Sequence, residues 1–198
     1  MVVLGYSFFD AGKDVHKAGA DLRDRMLFSL CGICNPGILR TPEGKPYLTD
    51  RPEISFSVSH TADLAVCALS FPGTAPAGEW TVMEASDYAP VVGADAESLR
   101  PADQAERLCK IAHRFFPNES LCRLKNREPH EIPRIFAEEW TRCESFVKMT
   151  GQGFGRGFAD LCFDGICSPV TVLSRGEREY VIRLAWREKA KKEENSHG

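Results

Sequence analysis

Asp95 and Glu97 stand two residues apart in VVGADAE, and Glu144 and Lys148 stand one helical turn apart in WTRCESFVK. On a strand, residues i and i+2 point to the same side, so the first two carboxylates face one way. At that spacing each raises the other's pKa unless a cation intervenes. Read as a helix, the second segment sets Trp140, Cys143 and Val147 on one apolar stripe, with Glu144 and Lys148 directly beside it. A charged pair so close to a buried face costs desolvation free energy unless something there needs the charge. Together the three acids could form a hard-oxygen site suited to Mg²⁺, which keeps waters and completes its octahedron with substrate phosphate oxygens. Lys148 would then be a point charge for a phosphate. The plainer alternatives are a solvated strand edge for Asp95 and Glu97, and a surface i,i+4 ion pair worth about 0.3–0.5 kcal/mol for Glu144 and Lys148.

A second group precedes these. Ser59-His60-Thr61 ends a strand pattern and offers two hydroxyls, an imidazole and turn amides, a set able to hold a phosphate or a nucleotide. Arg40 and Lys45 flank Thr-Pro-Glu-Gly and add two cations just ahead of it. A histidine after a strand is also an ordinary turn residue, so this group points less sharply than the acids.

The elements that must position these side chains follow from periodicity. Residues 14–30 carry Val15, Ala18, Leu22, Met26 and Leu30 at helical spacing, with Asp14 near the start. ISFSVSHTADLAVCALS predicts a hairpin: Ile54, Phe56 and Val58 alternate with Ser55, Ser57 and Ser59, and LAVCAL is apolar on both faces, as in a central strand. Residues 71–79 are linker-like, and the boundary between two halves is expected from there to about Pro90, with EWTVMEA as an inserted strand. VVGADAE predicts a short strand, followed by a helix over roughly 102–116 whose apolar positions are Ala105, Leu108, Ala112 and Phe115. The polar stretch LCRLKNREPHEIPR leads into the helix of Glu144, which ends at Gly151 or Gly153. Short strands are expected after it, and the charged tail REKAKKEENSHG is expected to fray.

With 198 residues, 43% hydrophobic and 27% charged, the chain suits one globular domain or two compact subdomains sharing a core. A net charge of −3 gives no global basic footprint for nucleic acid, so a phosphate site must be local. No apolar run approaches a membrane span, and the N-terminus has no secretory pattern. The eight cysteines are scattered and read as reduced thiols of a cytoplasmic protein. Cys31 and Cys34 form one CxxC, but Cys162 and Cys167 are too widely spaced to complete a zinc site with it. No Rossmann or P-loop glycine pattern is present.

In order along the chain stand Gly44-Lys45-Pro46, Phe56 with Ser59-His60, Gly93-Asp95-Glu97, Ile111-Ala112-Arg114-Phe115-Phe116 and Trp140-Glu144-Ser145-Lys148. This ordered set resembles the 4′-phosphopantetheinyl transferase superfamily, in particular the larger pseudodimeric type that activates peptide and polyketide synthases. The motifs span residues 44–148, and the helix at 14–30 fits the family's N-terminal half. The resemblance implies an α+β fold of two similar α/β subdomains related by a pseudo-twofold, residues 1–90 and 91–198, with coenzyme A in the cleft between them.

It also implies transfer of 4′-phosphopantetheine from coenzyme A to a serine of an acyl or peptidyl carrier protein, releasing adenosine 3′,5′-bisphosphate. Asp95, Glu97 and Glu144 would bind Mg²⁺ together with the pyrophosphate. Ser59, His60 and Thr61 would cradle the coenzyme's phosphates, Arg40 and Lys45 its 3′-phosphate, and Lys13 is a further candidate for the nucleotide. Glu144 would act as base, directly or through a metal-bound water, and Lys148 would neutralise or protonate the leaving phosphate. An acidic carrier would dock on helix 102–116 and on the stretch 120–136, which holds Arg123, Lys125, Arg127 and Arg134. A cytoplasmic monomer with no nucleic-acid or membrane partner is expected.

Three departures stand out. Cys143 occupies a position where the family commonly has Lys, with Arg142 as a candidate substitute; Ala94 replaces a branched residue; and the segment before Gly93 is longer than the family needs. The rival readings are another Mg²⁺-dependent enzyme acting on a nucleotide or pyrophosphate, and a catalytically decayed module that binds carrier or coenzyme A. A thiol enzyme using Cys143 and His60 is the least supported.

Overall fold

In a computed structural model, which describes residues 1–10, 12–75, 80–84, 90–153 and 157–187, the chain is a mixed α+β protein built in layers. The first half supplies β1 (Val2–Phe8), α1 (Val15–Cys31), β2 (Ile38–Arg40), β3 (Pro46–Leu48), β4 (Ser55–Thr61), β5 (Leu64–Ser70) and β6 (Thr81–Glu84). Four of these strands form an antiparallel sheet in the order β4-β5-β1-β6, while β2 and β3 form a separate two-stranded arm. Asp14 caps α1 by accepting from the His16 and Lys17 amides, and Gly32 ends it in the left-handed conformation.

The second half supplies β7 (Val92–Ser98), a 3₁₀ turn (Ala102–Gln104), α2 (Ala105–Phe115), α3 (Asn118–Leu124), α4 (Ile132–Thr150), β8 (Ile166–Cys167), β9 (Val170–Arg175) and β10 (Arg178–Arg187). β7 pairs with one edge of β10, and β8 and β9 pair with the other. The order β4-β5-β1 of the first sheet is thus matched by β9-β10-β7 in the second, with the same antiparallel sense.

Burial explains why some strands read apolar on both faces. One face of the first sheet (Val3, Phe56, Ala65, Cys67, Leu69) packs on Leu22, Met26 and Leu27 of α1. The other face (Val2, Leu4, Leu64, Val66, Ala68) meets Val92, Ala94, Ala96, Tyr180, Ile182, Leu184 and Trp186 of the second sheet. β5 lies between β4 and β1 with all seven residues buried, as its composition predicts. β1 was not anticipated, because its apolar run is too short to distinguish strand from helix by period. α4 covers the far face of the second sheet through Phe146 and Met149 against Ala185. Its other side joins α2 and α3 around Leu108, Ala112, Phe116, Phe136, Cys143, Val147 and Phe158. α3 falls in the stretch expected to be a polar loop; only Ser120 and Leu124 of it are buried, so its apolar signal is slight.

The serine face of β4 does not look onto solvent. Ser55 Oγ accepts from the Val92 amide (3.1 Å), Ser57 Oγ from the Ala94 amide (3.0 Å) and Thr61 Oγ1 from the Ser98 amide (3.2 Å). β7 is an edge strand, and these hydroxyls satisfy edge donors that no neighbouring strand reaches. None of the eight cysteines is in a disulfide. No helix of the described residues is long and apolar enough to cross a membrane. Of the expected linker, residues 76–79 and 85–89 lie outside the described residues, as does the tail from residue 188.

Candidate active site

Gly93, Asp95 and Glu97 share the face of β7 that α4 covers, while Val92, Ala94 and Ala96 enter the core between the sheets. The helix approaches so closely at Gly93 that a Cβ there would overlap the Ser145 carbonyl oxygen and the Met149 backbone nitrogen. That approach brings Lys148 onto Asp95. Lys148 Nζ donates to Asp95 Oδ1 (2.6 Å) and to Ser59 Oγ (3.0 Å), and the Ser59 hydroxyl donates to the same carboxylate oxygen (2.8 Å). Asp95 is only 5% exposed, so this is an ion pair largely out of water.

Glu144, one turn before Lys148, has its carboxyl pushed up to about 7, first by burial and next by the charge of Asp95; Lys148 pulls it back and Glu97 adds to the rise. Glu97 is also raised, chiefly by burial, and Arg100 holds it in an ion pair at 3.2 Å. The three acids singled out in the sequence therefore act on one another electrostatically, with Lys148 among them.

Beside these acids runs a cleft of about 500 Å³, whose polar wall includes His16, Arg23, Arg40, His60, Glu144 and Lys148. His60 Nε2 lies 3.2 Å from His16 Nδ1, one ring donating to the other. Burial, then His16 and Lys148, hold the His60 pKa below the ordinary imidazole value. Sequence reasoning missed His16 and Arg23. They stand with Ala20 at i, i+4 and i+7 on α1, a polar stripe beside the apolar one, which is the signal that could have found them.

The structure separates several of the residues expected to bind the coenzyme. Ser59, His60 and Thr61 do not form one cradle: consecutive strand residues face opposite ways, so His60 lines the cleft while Ser59 and Thr61 bond to Asp95 and Ser98 of β7. Lys13 lines a different cavity, with Phe8, Lys17 and Asp21 at the start of α1. Lys45 does border the cleft, but its ammonium donates to the carbonyls of Lys148, Met149 and Val92. Arg40 lines the cleft, with Nη1 bound to the Gly44 carbonyl at 2.7 Å.

The Cys143 departure has a physical account. Its side chain is fully buried beside Val147 and Phe136, and burial pushes the thiol up to about 12, which disfavours a thiolate nucleophile there. Arg142 does not take the place of a site cation. It pairs with Glu119 and Glu139 and lies 3.9 Å over the Phe163 ring. Glu139 is itself fully buried, receiving Ser120, Arg123 and Arg142, and ties α3 to α4. Of the basic residues expected to meet a carrier, Arg123 is paired with Glu138 and Glu139, Arg127 with Glu131 and Arg134 with Glu179. Lys125 lines a cavity of about 370 Å³ between α2 and α3, with Cys109, His113 and Leu121.

A model of the 4′-phosphopantetheinyl transferase superfamily matches residues 91–193. Among similar proteins, 4′-phosphopantetheinyl transferase HetI of Nostoc sp. is 31% identical over 116 residues, which is 57% of this chain and 40% of HetI. 4′-phosphopantetheinyl transferase Sfp of Bacillus subtilis is 28% identical over 110 residues, 56% of this chain and 39% of Sfp. The gsp transferase of Aneurinibacillus migulanus is 28% identical over 145 residues, 71% of this chain and 51% of its own. The chain thus spans between about two fifths and a half of the length of the curated relatives it matches.

Proposed function

The chain belongs to the 4′-phosphopantetheinyl transferase superfamily, and on that premise we propose that it transfers 4′-phosphopantetheine from coenzyme A to a serine of an acyl or peptidyl carrier protein. The observation that carries this reading is the Lys148 ammonium lodged on Asp95 beside a Glu144 carboxyl held near 7, next to a cleft walled by histidine and arginine. Such a node suits a substrate that brings both a pyrophosphate and a proton to remove.

Asp95, Glu97 and Glu144 are all hard-oxygen donors, which suits Mg²⁺ better than zinc. Among the described residues no three His, Cys, Asp or Glu side chains are grouped as a ready metal cage. An open acidic site fits an ion that keeps several waters and completes its shell with phosphate oxygens. Held by these three acids, Mg²⁺ would supply charge neutralisation for the pyrophosphate.

The chain's own residues account for the rest. The serine hydroxyl oxygen of the carrier attacks the β-phosphorus, and the new O–P bond forms as the P–O bond to adenosine 3′,5′-bisphosphate breaks. Glu144 takes the hydroxyl proton, its carboxyl being raised by burial in the metal-free chain and so a better proton acceptor than an ordinary carboxylate. Lys148 offers its charge to the leaving phosphate, and Ser59 holds Asp95 and Lys148 in register. His60, with His16, Arg23 and Arg40, forms the cleft wall that faces the nucleotide. The carrier would dock against α2 and α3, where Lys125 and His113 line a cavity. The halves, residues 1–90 and 91–198, are read as a pseudo-twofold pair, a reading to which the matched strand orders lend support, and the protein is proposed to act as a cytoplasmic monomer.

The test is intact-mass spectrometry of apo carrier proteins incubated with the protein, coenzyme A and Mg²⁺, with EDTA as control. A phosphopantetheine-sized gain that EDTA abolishes is expected. Coenzyme A consumed without any gain would mean hydrolysis, and neither gain nor consumption across carriers of fatty-acid, polyketide and peptide systems would sink the reading.

A further inference from the structure

We propose that Lys45 is a positioning residue: its ammonium pins the last turn of α4 to the start of β7, and so sets the spacing between Glu144 and Lys148 on one element and Asp95 and Glu97 on the other. An ammonium has three N–H donors. Those of Lys45 meet three carbonyl oxygens, Lys148 O at 2.5 Å, Met149 O at 2.9 Å and Val92 O at 3.2 Å. With all three satisfied by backbone, none remains to hold a phosphate. Two of the acceptors belong to the last turn of α4, where carbonyls lack an intrahelical partner and carry the negative end of the helix dipole. The third begins β7, two residues before Ala94 and three before Asp95.

The approach is built on both sides. Gly151, in the left-handed conformation that ends α4, lies against the Lys45 stem, where a Cβ would come within 3.2 Å of Lys45 Cδ. The turn that presents Lys45 is closed by the Thr41 amide on the Lys45 carbonyl (2.9 Å), by the Lys45 amide on Thr41 Oγ1 (3.2 Å) and by Arg40 on the Gly44 carbonyl (2.7 Å). Burial draws the Lys45 pKa down to about 8, a desolvation that a lysine reaching into water for a phosphate would not carry. An arm of the first half is thereby fastened to the two elements of the second half that hold the site.

The kinetic consequence rests on the transfer reading; the positioning does not, and the experiment separates them. Amide hydrogen exchange is compared in the wild type and Lys45→Met, with Lys45→Gln, which keeps two N–H donors, used if the first variant does not fold. Faster exchange confined to the C-terminal turn of α4, with β5 amides unchanged, is expected. Unchanged exchange at α4, or an equal loss at β5, overturns the pin. Binding of coenzyme A and of its 3′-dephospho form is then measured for both proteins. A positioning lysine leaves the affinity ratio of the two ligands the same in the variant, whereas a phosphate contact collapses that ratio toward one. If the wild type binds neither ligand, the transfer reading fails while the exchange result still judges the pin. Where transfer is observed, Lys45→Met lowers kcat by roughly 10-fold to 100-fold, as for a small misplacement of reacting groups, with little change in KM for coenzyme A.

Discussion

Glu144 shows how one side chain can be costly to the fold and yet suit the chemistry proposed for it. Its pKa of about 7 lies above the ordinary 4.5, so between those values the folded chain keeps a proton that the unfolded chain has lost. Its contribution to stability therefore falls as pH rises from about 4.5 through about 7. Glu97, raised in the same sense, adds to the fall. Glu144→Gln should match the wild type in thermal stability near pH 4 and exceed it near pH 8 in metal-free buffer, as read by thermal melts across that range. Mg²⁺ at pH 8 should raise the wild-type Tm and leave the variant's nearly unchanged, and transfer by the variant should fall by about 100-fold or more. A variant that melts like the wild type throughout would place the Glu144 carboxyl in ordinary water and remove its claim to be the base. Cys143 makes the complementary point: its neighbours are Val147 and Phe136, and a lysine would have to leave that core to be charged.

At the scale of elements, the site exists because α4 lies almost in contact with the backbone of β7. Gly93 permits this, and the helix C-terminus is held by Gly151 and Lys45. Gly93→Ala should force the helix off the strand, since the added Cβ meets backbone rather than a side chain that can rotate away. A loss of about 3 kcal/mol is expected, at the upper end for overpacking, with loss of transfer even where the variant stays folded. Denaturant unfolding together with the mass assay checks both; a fully active, fully stable Gly93→Ala would mean that the approach is looser than described. The buried Glu139 holds the outer side of the same helix, where Arg123 and Arg142 converge on it. Arginines that look available in the sequence are thus used to fasten α3 to α4.

At the scale of the molecule, the two sheets are joined at both ends of the seam between β4 and β7. Along it run the hydroxyls of Ser55, Ser57, Ser59 and Thr61, each bonded to β7. At the far turn Asp63 accepts from Arg175 (3.0 Å), Arg178 (3.2 Å) and the Tyr180 hydroxyl, locking the β4–β5 turn to the β9–β10 hairpin. Ser57→Ala should cost about 1–3 kcal/mol, because it leaves the buried Ala94 amide without an acceptor. The same variant should weaken transfer more than its stability loss accounts for, since the seam also sets where Asp95 sits. Chemical denaturation and transfer rates at a temperature well below the melt separate the two effects.

Local spacing was enough to read the elements with strong periods and to single out the three acids. The helical stripe of α1, the alternation of β4, the all-apolar β5 and the pairing of Asp95 with Glu97 on one strand face are local facts, and local spacing encodes them. It also carried the ordered motifs that mark the family. What faces what came from packing between distant elements. A serine on an alternating strand looks the same whether its outer side meets water or another sheet, so the seam with β7, and its hold on Ser59 and Thr61, was invisible. Lys45 and Lys13 are both lysines near turns, yet one sits half-buried on three carbonyls and the other lines a separate cavity. The reason is physical: the cost and use of a charge depend on the partners that desolvate it, and those partners come from residues 47 to 104 positions away.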